Sequence, residues 1–242
     1  MIFVENNSIK DAAFHFSVEE LFTRYIRSKE PVLMFWQTDK TVMLGNNQVV
    51  EAEVNKKFAD ISGIKIVRRS SGGGAIYTDF GTVLYTLIEP LKNETKIHRE
   101  NVASSIINAL IKIGVPAERE GRNDILAEGR KISGFAQYTS GNHVCTHGSL
   151  LFDTDLEMLT NVLIPNKEKL HPKGIVSIRS RVTNIKPYVS ADLTTDMFIK
   201  SLKNELLENK NLSTYNFNDD DLSRIDRIKS EKYANSDWNL RT

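Results

Sequence analysis

The sequence predicts one α+β domain in which a mixed β-sheet is flanked by helices. Short β-rich runs alternate irregularly with amphipathic helical patterns along all 242 residues. Neither an internal repeat nor a Pro/Gly-rich linker divides the chain, and a chain of this length buries a sizeable core without disulfides. We therefore expect a single domain over residues 1–242.

Composition excludes several classes of protein. Lys and Arg number 32 against 31 Asp and Glu, a net charge of +1, so neither nucleic acid nor an anionic membrane is the expected partner. Cys145 is the single cysteine and cannot form an internal disulfide. The segment Met1–Lys10 lacks a signal-peptide pattern, and no apolar run reaches the roughly 18 residues of a membrane helix. We expect a cytoplasmic protein.

Apolar spacing and chain breakers define the elements of the N-terminal half. Asp11 can cap a helix whose apolar side chains recur every three or four residues, and Pro31 opens an apolar run that is too short for a helix. The predicted elements are a helix from Asp11 to about Ser28, strands Pro31–Trp36 and Thr41–Leu44, a helix through Val50, Val54, Phe58 and Ile61, and strands Ile64–Arg69, Ala75–Asp79 and Thr82–Ile88.

The C-terminal half is interpreted in the same way. The predicted elements are a helix through Val102, Ile106, Leu110 and Ile113 that stops at Gly114, strands Asp124–Ala127, Lys131–Tyr138 and Val144–Phe152, a short helix capped by Asp153 or Asp155, and helices Thr195–Glu208 and Asp219–Tyr233. The polar stretch Ile164–Gly174 predicts a long loop. Such a loop can close over a reactive intermediate, so we expect ligand to order the chain between Ile164 and Ile178.

Three consecutive glycines, Gly72–Gly74, stand between two predicted strands. They are neither a P-loop nor a dinucleotide fingerprint, since the first needs a following Lys-Ser/Thr and the second a following helix. Without Cβ atoms the backbone can approach an anion closely, and Arg69 would add positive charge. The alternative is a glycine-rich hairpin bend beside two solvated arginines, Arg68 and Arg69. The glycines alone leave both interpretations open.

A second polar segment places Lys131 at the start of a strand, shortly after Asn123 and Asp124. A carboxylate beside a carboxamide suits hydrated Mg²⁺ carried in on phosphates, and the lysine would be a point charge among anionic oxygens. By itself, however, a lysine at a strand end is more often an ordinary surface residue.

His147 and Cys145 lie two residues apart on one predicted strand, so their side chains share a face. A Cys/His nucleophile pair is geometrically conceivable, although a buried, inert thiol and a histidine bonded to backbone are the commoner roles. The histidines show no His-x-x-x-His spacing and there is no Cys-x-x-Cys, so the sequence gives little support to a histidine or cysteine metal site.

The order of these segments is more specific than any one of them. The chain resembles the lipoate-protein ligase A family through five motifs, through its opening Met1–Glu20 and through its tail. The motifs are Arg68-Arg69-Ser70-Ser71-Gly72-Gly73-Gly74-Ala75, Gly121-Arg122-Asn123-Asp124, Lys131-Ile132-Ser133-Gly134, His147-Gly148-Ser149-Leu150-Leu151 and Arg181-Val182-Thr183-Asn184-Ile185, and the tail contains Glu231-Lys232-Tyr233 and Asp237-Trp238-Asn239.

The resemblance implies a fold and a reaction. The family shares its catalytic fold with biotin-protein ligases and octanoyl transferases, and that fold is similar to class II aminoacyl-tRNA synthetases. It implies that free lipoate is activated with ATP and Mg²⁺ as lipoyl-AMP and then passed to a lysine of a lipoyl carrier protein. The carriers implied are the E2 lipoyl domains of 2-oxoacid dehydrogenases and the H protein of glycine cleavage.

The resemblance also implies which residues form the site. Lys131 would act on the lipoate carboxyl and the α-phosphate, and Asp124 would face the magnesium. Trp36 is the residue that we expect to wall the hydrocarbon tail. The remaining implied substrate and adenylate contacts are Arg69, Ser71, Gly72, Gly73, Gly74, Ala75, Thr78, Asn123, Ser133, Gly134, His147 and Gly148.

Two departures from the family pattern bear on activity. Thr78-Asp79 stands where the family commonly has His-Asp, so a histidine contact is missing. Many members carry a small C-terminal accessory domain, which we expect to be absent from this chain and which a separate accessory subunit could supply. The alternatives to a ligase are an acyl transferase of the same fold, using a preformed acyl-adenylate or a Cys145 thioester, and a non-catalytic module that binds lipoyl-adenylate or a carrier.

Overall fold

A computed structural model describes residues 1–5, 8–92, 95–164, 181–208 and 211–241. Apart from Ile164, the predicted loop Ile164–Gly174 lies outside these ranges, as does its predicted ordering by ligand. Of the helices in the described ranges, none combines the length and the apolar character needed to cross a membrane.

Strands and helices alternate along the chain as predicted. The strands are β1 Ile2–Val4, β2 Val32–Trp36, β3 Thr41–Leu44, β4 Lys65–Arg68, β5 Ile76–Thr78, β6 Thr82–Pro90, β7 Ala117–Glu120, β8 Asp124–Ala127, β9 Arg130–Ser140, β10 His143–Leu151 and β11 Ser213–Tyr215. Within the described ranges the α-helices are α1 Ala12–Glu20, α2 Val50–Glu53, α3 Lys56–Ile61, α4 Thr95–Lys112, α5 Leu156–Val162, α6 Thr195–Leu207, α7 Asp219–Ile228 and α8 Ser236–Asn239. Single turns of π-helix, Leu21–Ile26 and Lys229–Tyr233, extend α1 and α7.

The strands of the described ranges form two sheets. Eight strands make the large sheet, in the order β11-β1-β2-β6-β10-β9-β8-β7, and three make a small sheet, β4-β3-β5. In the large sheet β11, β1 and β2 pair in parallel, whereas β2, β6, β10, β9, β8 and β7 pair antiparallel. The predicted mixed sheet is thus confirmed.

Apolar side chains cover both faces of the large sheet. On one face α4 and α6 pack over residues such as Phe35 and Ile132, and on the other α1 and α7 pack over Met34 and Trp36. A third cluster joins the small sheet to α5. Met43 and Val67 of the small sheet pack in the same cluster as α1, so the small sheet lies beside the face that α1 covers, and a cavity lies between the two sheets.

One helix start and one helix division have clear structural causes. Asp11 caps α1 by accepting the Ala13 N–H at 2.9 Å, as its sequence position predicts. The helix predicted through Val50 and Ile61 is in fact two helices, since Val54 is extended and bridges to Leu163. The prediction also missed β1, β7 and β11, which are short and, for β7 and β11, at the edges of the sheet.

Candidate active site

A cavity of about 350 Å³ opens between the large and small sheets. One transverse row of the large sheet forms much of its floor. In this row Trp36 pairs with Leu84, Leu84 with Ser149, Ser149 with Gly134, and Gly134 with Asp124. Neighbouring strands lie roughly 4.8 Å apart, so the row runs about 19 Å from an apolar end to a charged end. The cavity is lined by Phe16, Trp36, Met43, Arg69, Gly73, Gly74, Ala75, Ile76, Leu84, Asn123, Asp124, Lys131, Gly134, Phe135, Ala136, His147, Gly148 and Ser149.

The charged end is built around Lys131. Its ammonium nitrogen lies 2.7 Å from Oδ1 of Asp124, and both side chains are about one-third exposed. The pairing of β8 with β9 shifts between the Ile125–Ser133 and Leu126–Lys131 pairs, so β9 carries one extra residue, Ile132, next to this ion pair. The Asn123 amide donates to the Phe135 carbonyl at 2.7 Å, which fixes the turn before β8. This end presents one cation and one anion to the cavity.

The apolar end is built around Trp36. The Trp36 ring stacks on His15 with centroids 4.5 Å apart and meets the edge of Phe16 at 5.6 Å. Its indole N–H donates to Oγ1 of Thr86 at 3.1 Å, so the buried polar atom has a partner. Burial keeps His15 neutral by lowering its imidazole pKa to about 4. The sequence-based choice of Trp36 as an apolar wall agrees with this position.

The glycine segment 72–74 edges the cavity, and Arg69 holds it there. The guanidinium donates to the carbonyls of Met43, Gly72 and Gly74 at 2.8–2.9 Å and to Oγ of Ser71 at 3.0 Å. Burial lowers the Arg69 pKa to about 10, within the range where the group stays charged at neutral pH. The alternative of solvated arginines is wrong, since Arg68 and Arg69 are 1% and 5% exposed.

A glycine is required opposite this segment as well. A Cβ atom on Gly45 would lie 1.8 Å from the Gly73 carbonyl oxygen, so the end of β3 and the glycine segment touch backbone to backbone. Gly73 itself has a φ of 97°, which favours glycine.

A buried hydrogen-bonded chain runs behind the cavity from α1 to the glycine segment. His147 Nδ1 lies 2.9 Å from Oε1 of Glu19, and His147 Nε2 lies 2.6 Å from Oγ of Ser71. Thr86 also donates to Glu19 at 2.8 Å. The Ser71 hydroxyl also accepts from Arg69, so it links that guanidinium to the His147 imidazole and, through the imidazole, to the Glu19 carboxylate. Sequence analysis missed Glu19, whose signal was a carboxylate inside an otherwise apolar helical face.

Cys145 lies next to this chain. The donor atoms of Glu19, Cys145 and His147 fall within 4.8 Å of one another, as the predicted shared strand face requires for the last two. The thiol is completely buried and does not line the cavity. Burial, helped by the Glu19 carboxylate, raises its pKa well above the usual range, which disfavours the reactive thiolate.

The structure brings most predicted site residues to the cavity wall but not all of them. Ser71, Gly72, Thr78 and Ser133 do not line it. Ser71 is buried behind Arg69, and Ser133 points to the opposite face of β9 from its neighbour Gly134. Thr78 is buried with its hydroxyl 2.7 Å from that of Thr38. Those predicted residues that do line the cavity are Trp36, Arg69, Gly73, Gly74, Ala75, Asn123, Asp124, Lys131, Gly134, His147 and Gly148.

Comparison with solved structures identifies the class of fold. The chain superposes on a bipartite lipoate protein ligase from Thermoplasma acidophilum with a TM-score of 0.84, at 25% identity, covering 98% of this chain and 95% of that one. It also superposes on a lipoate-protein ligase A bound with ATP, with a TM-score of 0.81 at 24% identity and coverage of 99% and 97%. This is the fold of lipoate ligase catalytic domains.

Sequence comparison then identifies the family. The family profile of the lipoyl protein ligase A/B catalytic domain matches residues 11–207. The lipoate-protein ligase LplJ of Bacillus subtilis is 34% identical over 242 residues, which covers 99% of this chain and 73% of that protein. The chain belongs to the lipoyl protein ligase A/B catalytic domain family.

Proposed function

We propose that this chain is an ATP-dependent lipoate-protein ligase that joins lipoate to a lysine of a lipoyl carrier protein through lipoyl-AMP. The observation that carries the proposal is the long cavity floor, apolar at Trp36 and ionic at Asp124. A medium-chain acid fits this floor, since its apolar tail can lie at the Trp36 end and its carboxylate at the ionic end. The name of the Bacillus relative and the ATP-bound relative support the same activity.

Activation takes place at the ionic end. A carboxylate is a poor acyl donor until one oxygen becomes a good leaving group. One lipoate oxygen bonds to the α-phosphorus of ATP, and pyrophosphate leaves. The Lys131 ammonium and N–H groups of the glycine segment act on the negative charge that gathers there. The carrier lysine then attacks the acyl carbon, loses a proton and displaces AMP.

The residues at this end fit a magnesium ion carried on ATP. Mg²⁺ is bound in such sites by one or two carboxylates together with substrate phosphates and water. Asp124 supplies the carboxylate, since its side chain is one-third exposed at the cavity, and Asn123 stands next to it. When bound, the ion neutralises phosphate charge. Within the chain, Asp124 also keeps the Lys131 ammonium at the site before the phosphates arrive.

The carriers proposed as acceptors are E2 lipoyl domains and the glycine cleavage H protein. Support comes from the archaeal relative, whose structural study pairs a bipartite ligase with its E2 lipoyl domain. The thioester route through Cys145 has less support because that thiol is buried away from the cavity and its pKa is raised.

A pyrophosphate-release assay with MgATP and lipoate tests the proposal. A ligase releases pyrophosphate only when both substrates are present and then transfers the acyl group to a carrier domain. A transferase would release none but would acylate the carrier from synthetic lipoyl-AMP or an acylated donor. A binding module would retain lipoyl-AMP without turnover. Either of the last two results would reject the ligase.

A further inference from the structure

The residues before the glycine segment alternate between two environments. Arg69 and Ser71 point toward the cavity side, where they bond to the glycine carbonyls and to His147. Arg68 and Ser70 make their contacts elsewhere, with Trp238 and with Tyr233 and Lys232. Both side chains bond to residues near the C-terminal end of the chain, and residues 229–241 are here called the C-terminal clamp.

Arg68 is the main contact of the clamp. Its backbone N–H donates to Oδ1 of Asn239 at 2.8 Å, and its carbonyl accepts from the indole N–H of Trp238 at 2.9 Å. Its guanidinium donates to the carbonyls of Trp238 at 3.0 Å and Arg241 at 2.9 Å. Both the main chain and the side chain of Arg68 are therefore hydrogen-bonded to the clamp.

Ser70 makes the second contact. Its hydroxyl lies 2.7 Å from the Tyr233 hydroxyl and accepts from the Lys232 ammonium at 3.1 Å. Tyr233 and Lys232 also donate to the buried carboxylate of Glu20, at 3.0 and 2.8 Å. The clamp thus joins the glycine segment to the start of the π-helical turn that follows α1.

Arg68 and the C-terminal clamp also contact the loop that follows β3, residues 45–48. Arg68 donates to the carbonyl of Gln48 at 2.6 Å and to those of Gly45 and Asn46 at 3.1 and 3.2 Å. Arg241 donates to the Asn46 carbonyl at 2.8 Å, and the Asn46 N–H donates to the Ser71 carbonyl, also at 2.8 Å. Gly45, which touches Gly73, belongs to this loop. Both backbone stretches that meet at the glycine segment are therefore fixed by the clamp.

We propose that the C-terminal clamp positions the glycine segment for substrate binding, with Tyr233 and Trp238 as positioning residues. The clamp contributes no lining residue to the cavity and lies beyond residue 207, where the family match ends. Its bonds to Arg68 and Ser70 are directional and specific, so it can set the position of the residues that follow. The expected effect on the KM for lipoate rests on the proposed function. The restraint of the glycine segment by the clamp rests on the hydrogen bonds alone.

The test is the double variant Tyr233→Phe/Trp238→Phe, which keeps aromatic bulk and removes the tyrosine hydroxyl and the indole N–H. Tyr215→Phe is the matched control, since it removes a hydroxyl that donates to Asp221 at 2.8 Å in the same C-terminal region but outside the clamp. Hydrogen exchange is measured over residues 69–75 in the full chain, together with the melting temperature and the KM for lipoate.

We expect exchange over residues 69–75 to accelerate roughly 30-fold in the double variant, the effect of losing the two hydrogen bonds to the Arg68 carbonyl and the Ser70 hydroxyl. The control should leave these amides within about twofold of wild type, because the lost bond lies elsewhere. The KM for lipoate should rise more than kcat falls, since substrate must first order the segment. A purely structural role would instead accelerate exchange throughout the chain in step with the melting temperature.

Unchanged exchange over residues 69–75, or equal acceleration in the control, would overturn the clamp. If the double variant does not fold, the single variant Tyr233→Phe makes the same comparison. Absence of pyrophosphate release by the wild-type chain would reject the ligase and leave the exchange comparison to decide the clamp.

Discussion

The ammonium nitrogen of Lys131 lies 2.7 Å from Oδ1 of Asp124, at the charged end of the cavity. Both side chains are about one-third exposed, and an ion pair in that position contributes little to folding. Its effect is on placement: the carboxylate holds the end of a long, flexible side chain where the phosphates of ATP would arrive.

Lys131→Ala should lower the rate of pyrophosphate release by roughly 10²–10³-fold, because it removes a charge that acts on the developing phosphate oxyanion. The fold should survive, since the side chain is partly exposed. The exposed neighbour Arg130, which does not line the cavity, provides the control as Arg130→Ala. Near wild-type turnover by the lysine variant would remove Lys131 from the site.

Gly134→Ala should displace Lys131 without unfolding the protein. An added Cβ would lie 2.8 Å from the Lys131 ammonium nitrogen, which is the free end of a flexible side chain and can move aside. We expect roughly a tenfold loss in kcat/KM, comparable to losing a charge-assisted hydrogen bond of about 1.5 kcal/mol. In a Lys131→Ala background the same substitution should have no further effect. Additive losses in that double variant would refute the displacement.

Gly148→Ala should destabilise the fold instead. Its Cβ would lie 2.4 Å from the ring of Tyr85, which is fully buried and cannot move aside. Overpacking of this kind costs about 1–3 kcal/mol in the free energy of unfolding, measurable by urea titration. Gly134→Ala is the matched comparison on the neighbouring strand and should change that free energy little. Equal stability of the two variants would contradict the packing argument.

Cys145→Ser should retain most ligase activity. The adenylate route needs no protein nucleophile, and a serine hydroxyl can replace the thiol beside Glu19. The measurement is pyrophosphate release together with transfer to a carrier domain. Complete loss of transfer, or an acyl group found on Cys145 by mass spectrometry, would favour the thioester transferase.

Acid should destabilise the fold through His15. Its pKa is about 4 in the folded chain against 6.5 when unfolded, so between these values the unfolded state binds the extra proton. The free energy of unfolding should therefore fall as the pH drops from 6.5 toward 4, by about 2 kcal/mol from this group between pH 6.5 and 4.5. His15→Gln, which keeps a donor for the Ile9 carbonyl, should flatten this part of the pH profile. Equal pH slopes would contradict the assignment.

Much of the fold was predictable because its signals are local. The continuous apolar runs before Trp36 and Leu44 and the cap at Asp11 are properties of neighbouring residues, and the observed elements follow them. The division of one predicted helix at Val54 was not predictable, since its cause is a bridge to Leu163, far along the chain. Edge strands such as Ser213–Tyr215 are too short to give a periodic signal.

The site residues likewise include some that a local signal indicated and others that depend on distant parts of the chain. The glycine run and the lysine at a strand start made Gly73 and Lys131 candidates, and the order of the family motifs assigned them to the site by resemblance. Sequence could not show that Arg69 turns inward onto glycine carbonyls, or that Glu19 reaches His147 from a helix 128 positions away. Thr78 was assigned to the site by resemblance, and the structure bonds it to Thr38 instead. The positions of these side chains depend on contacts with residues far away in the sequence.

The burial of Cys145 has a practical consequence for spectroscopy. It is the single cysteine of the sequence, and burial makes its thiol a poor target for alkylating reagents while the chain is folded. A cysteine introduced at an exposed position, for example in place of Phe80, would then be the preferred attachment point for a fluorophore. Dyes placed in this way would report distances in the native chain without first removing a cysteine from its interior.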